Sequence, residues 1–127
     1  MSFEYVIDSS AWMEYIGGTS KGEKIIKIIE ESQIATSIVA IAELADKFEQ
    51  MNKPFADHLN FIRSRAKLMP IDPAIALHAA KLKKEFRKYS TKFSLADGIH
   101  LATAMGNNAI LVTADSDFEK ADKILLI

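Results

Sequence analysis

At 127 residues, 49% of them hydrophobic and 26% charged, the chain reads as one globular domain, residues 1–127, large enough to need no staple. The absence of cysteine excludes disulfides, zinc thiolates and thiol nucleophiles, and apolar runs of about five residues are far too short to span a bilayer. A net charge of -1 argues neither for nor against nucleic acid, but the balance is uneven: residues 1–60 carry ten acids against five Lys, and residues 61–127 carry eleven Lys and Arg against seven acids.

The opening Met1-Ser2-Phe3-Glu4 lacks the basic start and apolar core of a signal peptide, so a cytoplasmic protein with no membrane contact is expected. Tyr5-Val6-Ile7 is β-branched and aromatic without a breaker, which suits a strand buried on both faces of a parallel sheet. It stops at Asp8, and a helix follows from Ala11 to Ile16, ending near Gly17-Gly18. Ser20 with Glu23 three residues on resembles a capping box for a helix carrying Ile25, Ile28 and Ile29. Ile34-Ala35-Thr36 is a second strand. Ser37 caps a long helix with Ile38, Ile41, Ala45 and Phe48 turned inward, ended by Asn52-Lys53-Pro54. Phe55 to Arg65 is another helix.

Leu68 to Ile71 is a third strand. Asp72-Pro73 reads as a cap plus a first-turn proline for a helix from Ala74 to about Tyr89. Ser94 opens the next helix, stopped by Gly106-Asn107-Asn108. Ala109 to Thr113 is a fourth strand, Asp115 to Lys120 a turn or short helix, and Ile124-Leu125-Leu126 a last strand. Strands separated by helices mean a parallel sheet with right-handed crossovers, hence α/β in three layers.

Five acids stand out, each with an ordinary alternative. Asp8 follows a buried strand and could simply cap the next helix. Glu43 lies in the second turn of the Ser37 helix among polar Asp46, Lys47 and Gln50, where periodicity favours a solvated side chain. Asp97 could pair with Ser94 in a capping box. Asp115 could serve an Asx turn, and Asp117 the surface. None of these accounts for their joint placement. Asp8, Asp115 and Asp117 come just after strands, and Glu43 and Asp97 open helices that start at the same sheet edge. Gathering carboxylates costs repulsion and raises pKa values, which a hard divalent cation with oxygen ligands, Mg²⁺ or Mn²⁺, offsets.

The strings Val6-Ile7-Asp8-Ser9-Ser10, Ala40-Ile41-Ala42-Glu43-Leu44, Leu95-Ala96-Asp97-Gly98-Ile99-His100-Leu101-Ala102-Thr103-Ala104 and Leu111-Val112-Thr113-Ala114-Asp115-Ser116-Asp117-Phe118 together resemble the PIN domain, and most its small toxin subgroup, the VapC-type ribonucleases. The motifs fall in family order over nearly the whole chain. The resemblance implies a five-stranded parallel sheet in the order 3-2-1-4-5 within an α/β/α sandwich. It implies that Asp8, Glu43, Asp97 and Asp115 form an acidic cluster that binds Mg²⁺ or Mn²⁺ and hydrolyses RNA to 5′-phosphate and 3′-hydroxyl ends. Asp117 matches a position that is a ligand in only some members, and Ser9 and Thr113 match positions that support the cluster by hydrogen bonding. A VapB-type antitoxin and a homodimer are implied as partners. Trp12, Tyr15, Phe48 and Phe55 exceed what a small core obviously needs and would suit such contacts. Gly98 departs from the family's common Ala.

Basic residues cluster at Lys81, Lys83, Lys84, Arg87, Lys88 and Lys92. They suit either a solvated helix face or an RNA backbone contact, with Lys81, Lys84, Arg87 and Lys88 as the candidates for the latter. His58, His78 and His100 fall in three different helices and offer no separate mechanism, although His100 follows Asp97 by one turn. A phospho-accepting receiver domain would need an acidic pair after strand 1 and a Lys after strand 5, and both are missing. A haloacid-dehalogenase-type phosphatase would need an acid at position 10, which is Ser. A housekeeping RNA-processing PIN nuclease and a catalytically silent PIN module remain as alternatives within the fold.

Overall fold

The computed structural model describes residues 2–127; Met1, where the expected domain begins, lies outside the described residues. Five strands, β1 (Tyr5–Ile7), β2 (Ile34–Ser37), β3 (Ala66–Met69), β4 (Ile110–Thr113) and β5 (Ile124–Leu126), form one parallel sheet in the order β3-β2-β1-β4-β5. β1 is central: Val6 pairs with Ala35 on one side and Leu111 on the other. Both edges of β1 are therefore paired, helices cover its two faces, and Val6 and Ile7 are fully buried, as their uninterrupted apolar run demands.

Alternate residues send their side chains to opposite faces. Val6, Ala35 and Leu111 face helices α6 (Pro73–Phe86) and α7 (Leu95–Gly106) through Ala79, Leu82, Phe86 and Leu101. Ile7, Ile34 and Val112 face the other layer, made by α1 (Ser9–Ile16), α2 (Ser20–Glu23), α3 (Ile26–Glu31), α4 (Ile38–Gln50) and α5 (Ala56–Arg65), through Trp12, Ile29, Leu44 and Ile62. The strand order reverses between β1 and β4. In open α/β sheets the crevice at the carboxyl ends of such a pair of strands is where ligands bind. Asp8 and Thr113 terminate these two strands.

Several local expectations shift. The second helix is capped by Thr19, whose hydroxyl accepts from Gly22 N at 3.1 Å, rather than by Ser20. The segment breaks into α2 and α3 because Gly22 lies against the end of α1, where a Cβ would approach Glu14 O to 2.1 Å. β3 starts at Ala66 rather than Leu68. α5 passes into it without a loop, and the Arg65 guanidinium binds the carbonyls of Ile29 and Ser32 at the end of α3. In α4 the buried face is Ala40, Leu44 and Phe48, while Ile38 and Ala45 are exposed. That rotation turns Glu43 toward the sheet edge.

Of the four aromatics expected to suit partners, Phe48 is turned inward as its helix pattern also predicts, and the other three pack into or against the core. Trp12 is fully buried and its Nε1 donates to Thr36 Oγ1 at 3.2 Å, Phe48 is buried, and Tyr15 and Phe55 pack partly buried against the same cluster. A small α/β domain with helices on both faces needs more aromatic filling than the helix patterns suggest. The exposed apolar side chains are others, among them Ile38, Leu77, Tyr89, Leu95 and Met105. No helix is long and apolar enough to cross a membrane among the described residues.

Candidate active site

Asp8 leaves β1 in extended conformation and caps α1. Its Oδ1 accepts from Ala11 N at 2.9 Å and Ser10 Oγ at 2.7 Å; its Oδ2 accepts from Thr113 Oγ1 at 2.6 Å. Both hydroxyl protons are spent on Asp8, so the 3.2 Å approach of Ser10 Oγ to Thr113 Oγ1 is a contact and not a further hydrogen bond. A carboxylate has about four lone-pair sites; Oδ1 is filled, and Oδ2 keeps one direction for another partner. Burial pushes the Asp8 carboxyl above its ordinary pKa, against the opposing pull of His100 and these three donors.

The hydroxyls that hold Asp8 also fix the end of β4. Thr113 Oγ1 accepts from Asp115 N at 3.0 Å, and Ser10 Oγ accepts from Ala114 N at 2.9 Å. Asp115 then accepts from Asp117 N at 2.9 Å, opening a short 3₁₀ turn over Ser116–Phe118. Asp117 Oδ1 accepts from Ser90 Oγ at 2.7 Å, which ties the turn to the segment following α6. Asp97 arrives from α7, where it closes a capping box: Ser94 N donates to Asp97 Oδ2 at 2.8 Å, and Asp97 N donates to Ser94 Oγ at 3.1 Å. Burial raises the Asp97 pKa, and the neighbouring Asp115 charge adds to the rise over the opposing Ser94 hydrogen bonds.

The capping and Asx-turn roles expected as alternatives are therefore present, and they coexist with convergence. Asp97, Asp115 and Asp117 each offer an oxygen, all within 4.8 Å of one another, and all three are half-buried. Asp8 and Glu43 stand outside this tight group. Glu43 Oε1 accepts from Ser9 Oγ at 3.0 Å and lies 2.7 Å from His100 Nε2. Burial would raise the Glu43 pKa, but His100 and Ser9 outweigh it and hold it below the ordinary value. Burial would lower His100, but the Glu43 hydrogen bond and the charges of Asp8, Glu43 and Asp97 outweigh it and the imidazole is raised. His100 thus faces three of the acids. Its Nδ1 is buried without a partner among the described residues, so Glu43 alone anchors the ring.

Three carboxylates with one oxygen each at this spacing, partly open to solvent, suit a small hard cation that keeps several waters. The donor set fits Mg²⁺ or Mn²⁺. Ser10 and Ser90 were missed from sequence. Ser10, two residues after a strand-ending Asp, carried a readable turn signal. Ser90 carried none. Of the basic candidates, Lys81, Lys84, Arg87 and Lys88 are all exposed or partly so, with Arg87 and Lys88 at the end nearest the site. Arg87 Nε also donates to Phe93 O at 2.6 Å, just before Ser94. Gly98 sits where a Cβ would approach Ala79 O to 2.5 Å. The contact of α7 on α6 requires it.

Comparison with known proteins follows the same lines. The chain superposes on a toxin–antitoxin complex from Klebsiella pneumoniae (20% identity, 96% of each chain, TM-score 0.77). It also superposes on VapBC2 from Rickettsia felis bound to a promoter DNA fragment (19% identity, 97% of this chain and 96% of that one, TM-score 0.74). A third match is Mycobacterium tuberculosis VapC20, a sarcin–ricin loop cleaving toxin (14% identity, 94% of this chain and 96% of that one, TM-score 0.71). At these identities the likeness is one of fold. No curated sequence relative matches. The PIN domain family model matches residues 5–124, from the first residue of β1 into β5, and by that match the chain belongs to the PIN domain family.

Proposed function

We propose that this PIN domain is a divalent-metal-dependent endoribonuclease, the toxin of a VapBC-type toxin–antitoxin pair. The observation that carries the reading is the convergence of Asp97, Asp115 and Asp117 within 4.8 Å at the switch point of the sheet, with Asp8 tied to it through Thr113. The structural likeness to toxins of such pairs supports the biological assignment. The same likeness supports a VapB-type antitoxin as partner and RNA as substrate, and the motif resemblance adds a second copy of the chain.

Asp97, Asp115 and Asp117 would hold Mg²⁺ or Mn²⁺, with the open lone pair of Asp8 Oδ2 facing the same edge. When bound, the cation supplies Lewis-acid polarisation of the phosphodiester and activates water at neutral pH. The protein's own contribution is orientation. Ser10 and Thr113 lock Asp8, the Asx turn locks Asp115 against Asp117, and the capping box locks Asp97. Glu43, held by His100 and Ser9, adds negative charge beside the group without the freedom to swing. Lys81, Lys84, Arg87 and Lys88 supply phosphate contacts, Arg87 and Lys88 next to the segment that carries Ser90. Lys81 lies about 7.5 Å back along the helix axis from Phe86, the last residue of α6.

The test is cleavage of RNA by purified protein. Mg²⁺ or Mn²⁺ should be required and chelation should stop it. Asp8→Asn, Asp97→Asn and Asp115→Asn should each abolish it while the fold persists. Undiminished cleavage by Asp8→Asn, in protein free of contaminating nuclease, would overturn the reading.

A further inference from the structure

A cavity of about 230 Å³ opens beside Asp117. It is lined by Tyr89, Ser90, Ser116, Asp117, Glu119 and Lys120. Tyr89 is 62% exposed, yet its ring is not loose. It meets the ring of Phe86 edge-on at 6.2 Å, and Phe86 stacks on Phe93 at 5.1 Å. Phe93 in turn meets Phe118 at 5.4 Å, in the 3₁₀ turn that carries the opposite wall. Ser90 Oγ pins the two walls together through Asp117 at 2.7 Å. A chain of packed aromatics thus runs from the 3₁₀ turn to one ring that faces solvent.

We propose that this cavity is a subsite for one unpaired nucleobase of single-stranded RNA, stacked on Tyr89, next to the phosphate held at the acidic edge. The proposal rests on the ribonuclease reading above.

Three observations select a base. Pockets for drug-sized ligands run from about 300 Å³ upward, so this smaller one suits a single ring system. Two acids, Asp117 and Glu119, stand in the wall against one Lys120, which disfavours a second phosphate and suits a neutral base with amino donors. Exposed Arg87, Lys88 and Lys92 flank Tyr89 in sequence, and an aromatic ring within a basic segment is how single strands are held irrespective of sequence. A base in a duplex cannot offer its face to Tyr89, so the subsite discriminates against paired RNA.

The experiment measures binding of a fluorescein-labelled single-stranded RNA oligonucleotide by anisotropy, with Ca²⁺ replacing Mg²⁺. Tyr89→Ala, which removes an exposed ring, should weaken binding about tenfold or more. Tyr89→Phe should stay within about twofold of wild type, because stacking uses the ring and not the hydroxyl. Affinity for duplex RNA should not change in either variant. In Tyr89→Trp, single-stranded RNA should quench the new indole fluorescence. Wild-type affinity in Tyr89→Ala, or equal losses in Tyr89→Phe and Tyr89→Ala, would overturn the subsite. If wild type cleaves RNA while Tyr89→Ala binds and cleaves equally well, the subsite fails and the ribonuclease reading stands. If wild type binds through Tyr89 but does not cleave in Mn²⁺, the ribonuclease reading fails and the subsite stands.

Discussion

His100 Nε2 lies 2.7 Å from Glu43 Oε1, joining α7 to α4 across 57 residues of sequence. In this pair each partner favours the charged form of the other: His100 is raised and Glu43 lowered, each chiefly by the other once the cost of burial is overcome. The sign of its contribution follows. The His100 share is fully present below the ordinary imidazole pKa of 6.5 and is lost as pH rises through the higher folded value. The Glu43 share is present above the ordinary 4.5 and is lost as pH falls through the lower folded value. NMR titration of His100 should give a pKa above 6.5 in wild type and a lower one in Glu43→Gln. The same variant should lose part of the alkaline fall in stability. An unmoved His100 titration would show that Glu43 does not set its charge.

Asp8 and Asp97 are displaced the other way. Both folded carboxyls sit above the ordinary 3.8, raised first by burial. Between that value and the folded pKa the native state binds more protons than the unfolded chain, so stability falls as pH rises through the window. Without divalent metal, unfolding free energy should drop across mildly acidic pH more steeply in wild type than in Asp97→Asn. Equal slopes in urea titrations would remove the strain assigned to this carboxylate.

Gly98→Ala tests how closely α7 must approach α6 at that position. A methyl group there would press on the Ala79 carbonyl, backbone against which no rotamer can relax. Overpacking of this kind costs about 1–3 kcal/mol, or on the order of 4–11 °C in melting temperature for a chain of this length. Because α7 carries Asp97 and His100, the variant should also bind Mn²⁺ more weakly. An unchanged melt and metal affinity would mean that the α6–α7 packing yields freely.

A combined Lys81→Ala, Lys84→Ala, Lys88→Ala variant should bind single-stranded RNA more weakly and with a shallower salt dependence. The slope of log K against log salt falls by roughly 0.7 for each phosphate that is no longer neutralised. Arg87 is left in place because its Nε supports the Phe93 carbonyl. A slope equal to wild type would make this face of α6 merely solvated.

The sheet was legible because its strands are short, uninterrupted apolar runs between helices, and because four motifs in order resemble one family. Boundaries slipped where a helix meets a strand directly, as at Arg65–Ala66, since no Gly or Pro marks the junction. Glu43 read as solvated because helical periodicity reports one helix at a time, and its partner His100 sits in another. The aromatics Trp12 and Phe48 read as surplus because local pattern does not count the two layers they fill. Asp117 read as surface for the opposite reason: its approach to Asp97 depends on the Ser90 hydroxyl and on a tight 3₁₀ turn, neither of which has a periodic signature.

If acids from the end of β4, the 3₁₀ turn and α7 make one cation site, a metal-dependent melt reads it without any substrate. At 100 times its dissociation constant a cation adds about 2.7 kcal/mol of stability, which for this chain length is on the order of 10 °C. Wild type in millimolar Mn²⁺ should gain a shift of that order, and Asp97→Asn and Asp115→Asn should lose most of it. A Mn²⁺ shift in either variant as large as in wild type would contradict the account and return each acid to its separate capping or turn role.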